Sequence, residues 1–267
     1  MALADLFPDG DYRFHLTLRR SDPRDFFCAQ DPTGAVLAER ARWLAADPAR
    51  YAALPSEADL LLAEFGVQCV EWGIGHPTTA VELGAMLEPD VLFLSPDAAG
   101  DFRLRGGALC FPTGWALEEK LGLPVESIHG AVPGLNPALA ASIRQFLGKL
   151  KPGVVFCRDN WGLAASAELN LHPARAVPAP APPVVLDRLW LRVEHQALMA
   201  LPQTGGIVFG IRIALHRLDV LAATDSAATA GLRRALVTMP ETMLRYKRLN
   251  TVRDDIVRQL AEATGPA

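Results

Sequence analysis

The sequence predicts an α+β fold, a mainly antiparallel sheet flanked by helices with helical N- and C-terminal extensions. Apolar residues recur with period 2 over 188–196 and 207–215, as in half-buried strands. A second hairpin pattern occupies 91–111. Helical spacing dominates roughly the first ninety and the last fifty residues.

In the first helical region, 39–46 and 56–65 have helical spacing, and Ser56 with Asp59 fits a capping box. Val91 to Leu94 is a short apolar run, and Ser95-Pro96-Asp97 a turn signal. Phe102 to Phe111 reads as the returning strand, with a bulge at Gly106-Gly107. Trp115 to Leu121 is a short helix stopped by Gly122 and Pro124. Asn136-Pro137 predicts an N-cap and first turn for a helix whose stripe is Leu139, Ile143, Phe146, Leu147 and Leu150. Val154 to Cys157 reads as a strand.

The five prolines of 173–183 make a stiff extended connector, and strands on its two sides can still share one sheet. Beyond it, Leu189, Leu191 and Val193 face one way, and Trp190, Arg192 and Glu194 the other. In the next strand Ile207, Phe209, Ile211 and Ile213 form one face, and Val208, Gly210, Arg212 and Ala214 the other. Helices follow, broken at Pro240. The chain thus reads as one domain with a mostly helical part (1–90), a sheet core (91–215) and C-terminal helices (216–267).

Of 267 residues, 50% are hydrophobic and 21% charged, enough for a sizeable core and unlike a disordered chain. A net charge of −4 argues against a general nucleic-acid surface. Cys28, Cys69, Cys110 and Cys157 include no CxxC pair, which argues against zinc, iron–sulfur or c-type haem attachment and for inert thiols. Met1 to Asp11 carries acids and no long apolar run, so it does not read as a signal peptide, and no stretch is long enough to span a bilayer. A cytoplasmic protein is expected.

Several segments together resemble the haem-dependent oxidative N-demethylase alpha-subunit family. They are Phe-Pro-Thr-Gly-Trp-Ala-Leu-Glu-Glu-Lys-Leu-Gly at 111–122, Ile-His-Gly-Ala-Val-Pro-Gly at 128–134 and Arg-Asp-Asn-Trp at 158–161. Leu-Arg-Val-Glu-His-Gln-Ala-Leu at 191–198 and Leu-Pro-Gln-Thr-Gly-Gly-Ile-Val-Phe-Gly-Ile-Arg at 201–212 complete the set, with Ala-Glu-Arg-Ala-Arg-Trp-Leu-Ala-Ala-Asp-Pro at 38–48. The resemblance implies a PAS-like antiparallel sheet that binds haem b. It also implies O₂-dependent oxidation of an N-methyl group of a small secondary amine, as in the haem subunit of dimethylamine monooxygenases. Electrons would come from NADPH through partner flavin and iron–sulfur components. The chain itself has no G-x-G-x-x-G dinucleotide fingerprint. It departs from the family pattern at His195-Gln196-Ala197-Leu198, where Arg-Gln-Thr-Leu is usual, and at Ile213-Ala214, where Thr-Tyr is usual. Glu88-Pro89-Asp90 stands where an acidic pair is usual.

In that light His129 is the candidate iron ligand, set in a rigid apolar segment with small residues; His76, His195 and His216 are its competitors. Read from the residues alone, His129 is a loop histidine held by a hydrogen bond. Glu194, Arg192 and Arg212 are the candidate catalytic residues. Period 2 puts Arg192 and Glu194 on one face, about 7 Å apart, and pairing with the next strand would bring in Arg212. A carboxylate there would hold the substrate ammonium, and an arginine would donate to oxygen or a haem propionate. The bland reading is a salt-bridged solvent face of the sheet. Trp161 and Asn160 are candidate pocket residues, with core filling and turn capping as their plain alternatives. Lys120 is a candidate propionate partner, or else a solvated helix-end lysine. Arg245, Lys247, Arg248 and Arg253 form a basic run, either a solvated face or a docking site for an acidic partner. A different class of function, a PAS-like haem sensor without turnover, fits the altered distal strand.

Overall fold

The computed structural model describes residues 2–264. Its centre is a seven-stranded sheet in the order β1-β5-β6-β7-β3-β4-β2. All neighbouring strands are antiparallel. The strands are β1 (Arg19–Ser21), β2 (Ala52–Ala53), β3 (Asp90–Pro96), β4 (Phe102–Ala108), β5 (Val155–Ala164), β6 (Trp190–Ala200) and β7 (Ile207–Arg217). The helices before the main strands are α1 (Pro23–Phe27), α2 (Ala35–Ala46), α3 (Pro48–Tyr51), α4 (Asp59–Glu71) and α5 (Ala80–Met86). Between β4 and β5 come α6 (Leu117–Lys120), α7 (Val125–His129) and α8 (Leu135–Lys149). The C-terminal set is α9 (Leu218–Thr224), α10 (Ser226–Thr238), α11 (Glu241–Tyr246) and α12 (Arg253–Thr264).

The predicted α+β architecture is present, and β5 and β6, on either side of the proline-rich connector, are neighbours along ten paired positions. The first ninety residues contribute more than helices, since β1 and β2 form the two edges of the sheet. The bulge in the β3–β4 hairpin falls beside the glycines. Phe93 pairs with Gly106 but Leu94 pairs with Leu104, which leaves Arg105 as the extra residue. Gly107 has φ +135°, and a Cβ there would come within 2.1 Å of the Val91 carbonyl oxygen. Only glycine lets β3 approach so closely.

Two predicted helix starts are corrected. Ser56 and Asp59 form no capping box; a 3₁₀ turn over Ser56–Ala58 runs straight into α4, whose N-cap is Ala58. Helix α8 begins at Leu135, after Gly134 in the left-handed region at φ 77°. Asn136 is therefore inside the helix, and its amide donates to the Glu126 carbonyl of α7 (2.8 Å). The tight α7–α8 turn sets this start, overriding the Asn-Pro signal. Trp115 precedes α6 and is not part of it.

Each face of the sheet is covered differently. On the first face, α1 and α4 pack Phe27, Leu61 and Phe65 over Val91, Phe93 and Val208. Further along the same face, α9–α12 cover Trp161, Leu191 and Val193. On the second face, Leu117 and Leu147 meet Leu92, Leu198, Ile207 and Ile211. Buried Arg40 on α2 pairs with buried Asp90 (2.7 Å), which also accepts the Cys110 and Phe111 amides. A lone charge in that position would be costly; the pair fixes α2 to the start of β3. All four cysteines are free, and burial pushes Cys69 and Cys110 up to about 12. Among the described residues no helix is long and apolar enough to cross a membrane.

Candidate haem and amine site

Strand register decides which candidates meet. Residues directly opposite in an antiparallel pair share a face. Asn160 pairs with Glu194, and Glu194 with Ile213. Asp159 pairs with His195, and His195 with Arg212. Arg158, Asn160, Arg192, Glu194 and Gln196 therefore lie on the second face. Asp159, His195 and Arg212 lie on the first. The expectation that Arg212 joins Arg192 and Glu194 is corrected by this register, in which the even positions of β6 face the odd positions of β7.

Glu194 is 9% exposed. Its Oε2 accepts from the Asn160 amide (3.2 Å) and the Gln196 amide (2.9 Å). Among the described residues it has no salt-bridge partner. Arg158 stands next to it on the same face and its Nε is buried without a partner. Burial lowers the Arg158 pKa, with Glu194 and then Asp159 opposing the shift. His129 ends α7, and its pKa is lowered first by burial and then by the Arg158 charge. The imidazole thus stays neutral at pH 7, the form that ligates iron. Its ring has no hydrogen-bond partner among the described residues.

The other histidines are engaged or placed elsewhere. His195 Nδ1 is 2.5 Å from Asp159 Oδ1, on the first face. His216 pairs across from Leu191 on that same face. His76 packs its ring against Gly66 of α4. Nδ1 of His172 accepts from the Ala174 amide, and that of His15 contacts the Thr17 hydroxyl.

Arg192, 1% exposed, turns its guanidinium toward the 111–113 and 168–169 segments. It donates to Thr113 Oγ1 (2.9 Å) and to the carbonyls of Phe111 (2.9 Å), Glu168 (3.2 Å) and Leu169 (2.7 Å). Burial lowers its pKa to about 10, against the pull of Glu194 and Asp90. It clamps the 168–169 loop to 111–113. Arg212 donates to Glu88 (2.9 Å) and to the Phe26 and Ala29 carbonyls. Trp161 is buried on the first face, edge-on to Phe7 with centroids 5.1 Å apart. Lys120 is half-buried at the end of α6.

Arg158 and Gln196 are not singled out by the sequence, and Lys247 only as part of the basic run 245–253. Period 2 from Asn160 and Glu194 reaches Arg158 and Gln196, so a signal for those two existed. Lys247 comes from the α11–α12 turn, and unlike a solvated member of the basic run it turns in onto β5. Its ammonium donates to the Trp161 carbonyl (2.7 Å) and lies over the Trp161 ring, 5.2 Å from its centroid. Burial lowers it to about 8, while Glu194 opposes the shift.

Three further observations show that the second face is loosely covered near Glu194. A Cβ on Gly162, opposite Arg192, would meet nothing within 4 Å. Helix α8 buries only Leu147. Leu135 and Leu139, on its first turns, are half-buried outside the packed clusters. Among the described residues no cluster of three His, Cys, Asp or Glu forms a metal cage. A haem would bring its own porphyrin ligands to the iron, so a single neutral imidazole such as His129 and a guanidinium without a partner such as Arg158 would suit that group. A concavity of about 430 Å³ between α2 and the 167–175 loop lies elsewhere. Its arginines, Arg42 and Arg175, are already paired with Glu39 and Glu168.

A family model described as haem-dependent oxidative N-demethylase, alpha subunit-like, matches residues 71–257. The match spans β3 to β7 and most of the C-terminal helices. The chain belongs to the haem-dependent oxidative N-demethylase, alpha subunit-like, family.

Proposed function

We propose that this chain is the haem-carrying subunit of a monooxygenase that demethylates a small secondary amine. It works as one haem-binding domain around a PAS-like sheet, with NADPH electrons arriving through flavin and iron–sulfur partner proteins. The observation that carries the reading is Glu194, a buried carboxylate held by two amides and with no salt bridge among the described residues. The nearby Arg158, Arg192 and Lys247 act on it only at longer range. Burying such a group is costly unless a counter-charge completes it, and a secondary ammonium is a small cation of the right sign.

His129 would hold the iron of haem b, and Arg158 would meet an anionic group such as a propionate, a part assigned from sequence to Arg192 or Arg212. When bound, the haem supplies activation of O₂ for insertion of one oxygen atom into an N-methyl C–H bond. Asn160 and Gln196 fix the Glu194 carboxylate so that it orients the amine and takes up its positive charge. The amine, O₂, two electrons and two protons give the primary amine, formaldehyde and water. Glu194 would accept the ammonium proton before oxidation and return it to nitrogen as the carbinolamine C–N bond breaks.

A haem sensor without turnover is the second reading, favoured by Ile213, an apolar residue directly across from Glu194. The purified protein is expected to show a Soret band and an amine-induced change in it. Glu194→Gln keeps the shape and removes the charge. It should weaken amine binding by roughly tenfold or more with haem content intact. An unchanged amine titration removes Glu194 from the site. A Soret band with neither an amine response nor NADPH-dependent formaldehyde release, assayed with the cognate reductase, selects the sensor. No Soret band overturns both readings.

A further inference from the structure

Helix α4 is apolar on both sides. Its inner side buries Leu61, Leu62, Phe65 and Cys69. Its outer side exposes Leu60 at 73%, Val67 at 55% and Val70 at 53%. These three and exposed Ala63 fall on one helical face about 15 Å long. A run of this kind on one face is not the scatter of single apolar residues found on any surface.

The charge around it is one-sided. Residues 51–102 contain nine Asp or Glu and no Lys or Arg. Four of these acids are neutralised by cations from elsewhere, Glu88 by Arg212, Asp90 by Arg40, Asp97 by Arg103 and Asp101 by Arg144. Glu57, Asp59, Glu64, Glu71 and Glu82 have no salt-bridge partner among the described residues. Helical spacing puts Asp59 along one border of the apolar stripe and Glu64 and Glu71 along the other.

We propose that the outer face of α4 docks a partner protein whose contact surface has an apolar centre bordered by lysine or arginine. The acids on both borders argue against a second copy of this chain. Any two-fold α4–α4 contact would set acidic border against acidic border around the apolar centre, where like charges are costly. Nearly all of α4 precedes the family match, which begins at residue 71. The face belongs to the chain's own N-terminal part, and the proposal stands whether or not the haem reading does.

The test uses the full chain, tagged and isolated from its native cells, and treated with a carbodiimide that joins carboxylates to lysines. Capture of a companion alone decides nothing. The expected result is cross-links from Glu57, Asp59 or Glu71 to lysines of the companion, with its affinity for the purified chain falling as salt rises. Val67→Asp and Glu71→Lys, both at exposed positions, should each weaken that affinity by roughly tenfold. Val237→Asp, equally exposed on α10, should leave it unchanged. Cross-links only to the chain's own Lys120, Lys149, Lys151 or Lys247 would mean a second copy and overturn the proposal. A companion that binds the Val67→Asp chain as well as the unmutated one overturns it, as does a chain that is isolated alone and monomeric.

Discussion

Arg212 stands directly across from His195, so its guanidinium and the Glu194 carboxylate lie on opposite faces of the same sheet. One residue of register separates the two roles. Arg212 closes a polar contact between β7, Glu88 and the α1 end, where its guanidinium also lies over the Phe26 ring. Glu194 serves the other face.

That separation predicts opposite phenotypes. Arg212→Ala strands Glu88, which is 6% exposed, and should cost about 3 kcal/mol in urea unfolding. It should leave the amine titration of the folded protein unchanged. Glu194→Gln should do the reverse. If Arg212→Ala abolishes amine binding at full stability, the faces do not act separately.

Arg192 is predicted to be a structural clamp. Its planar fork reaches one hydroxyl and at least three carbonyls on two segments. A lysine keeps the charge but not the fork. Arg192→Lys should therefore destabilise by about 2–3 kcal/mol in urea denaturation, close to the loss with Arg192→Met. Near-full stability of the lysine variant would show that charge alone holds the loop.

The fold was legible where the core follows a period. The alternation at 188–196 and 207–215 gave the strands, and Gly106-Gly107 gave the bulge, because each is written in adjacent residues. The site was half legible. Glu194 and Asn160 are found by period 2 and the family resemblance, and direct pairing joins them. Pairing register between strands is a long-range property, so nothing local showed that Arg212 would face away. The choice of Arg192 to turn inward depended on carbonyls near residues 111 and 168, far from it in sequence. Edge strands β1 and β2, of three and two residues, are too short to carry a pattern.

His129 sets a pH limit. Its pKa is lowered by burial and by Arg158, so the folded chain favours the neutral ring. Below the usual value of about 6.5 the unfolded chain takes up a proton that the folded chain resists. The stability contribution of this group is therefore intact above that pH and falls as pH drops through it. Haem ligation should persist to somewhat below pH 6.5, then fail as the proton competes with iron. The measurement is Soret intensity against pH. His129→Ala should abolish ordinary ligation at every pH, and an unchanged spectrum with full haem occupancy would exclude His129 as the ligand.

Lys247 gives the last prediction, and its sign runs the other way from an ordinary surface lysine. Burial lowers it to about 8 despite the nearby Glu194. Its ammonium is held by the Trp161 carbonyl and ring, yet these do not fully replace water. Between about 8 and the ordinary value of about 10.4 the unfolded chain is protonated and the folded chain is not. Unfolding then takes up a proton, so stability should rise with pH across that window. Part of the side chain remains exposed, which limits the size of the effect. Lys247→Met keeps the stem over Trp161 and removes the charge. It should be as stable as the unmutated chain at pH 7, or more so, and should flatten the rise from pH 8 to 10. Urea unfolding at pH 7, 8.5 and 10 reads both effects. A marked loss of stability at pH 7 would show that the ammonium's bond to Trp161 outweighs its burial.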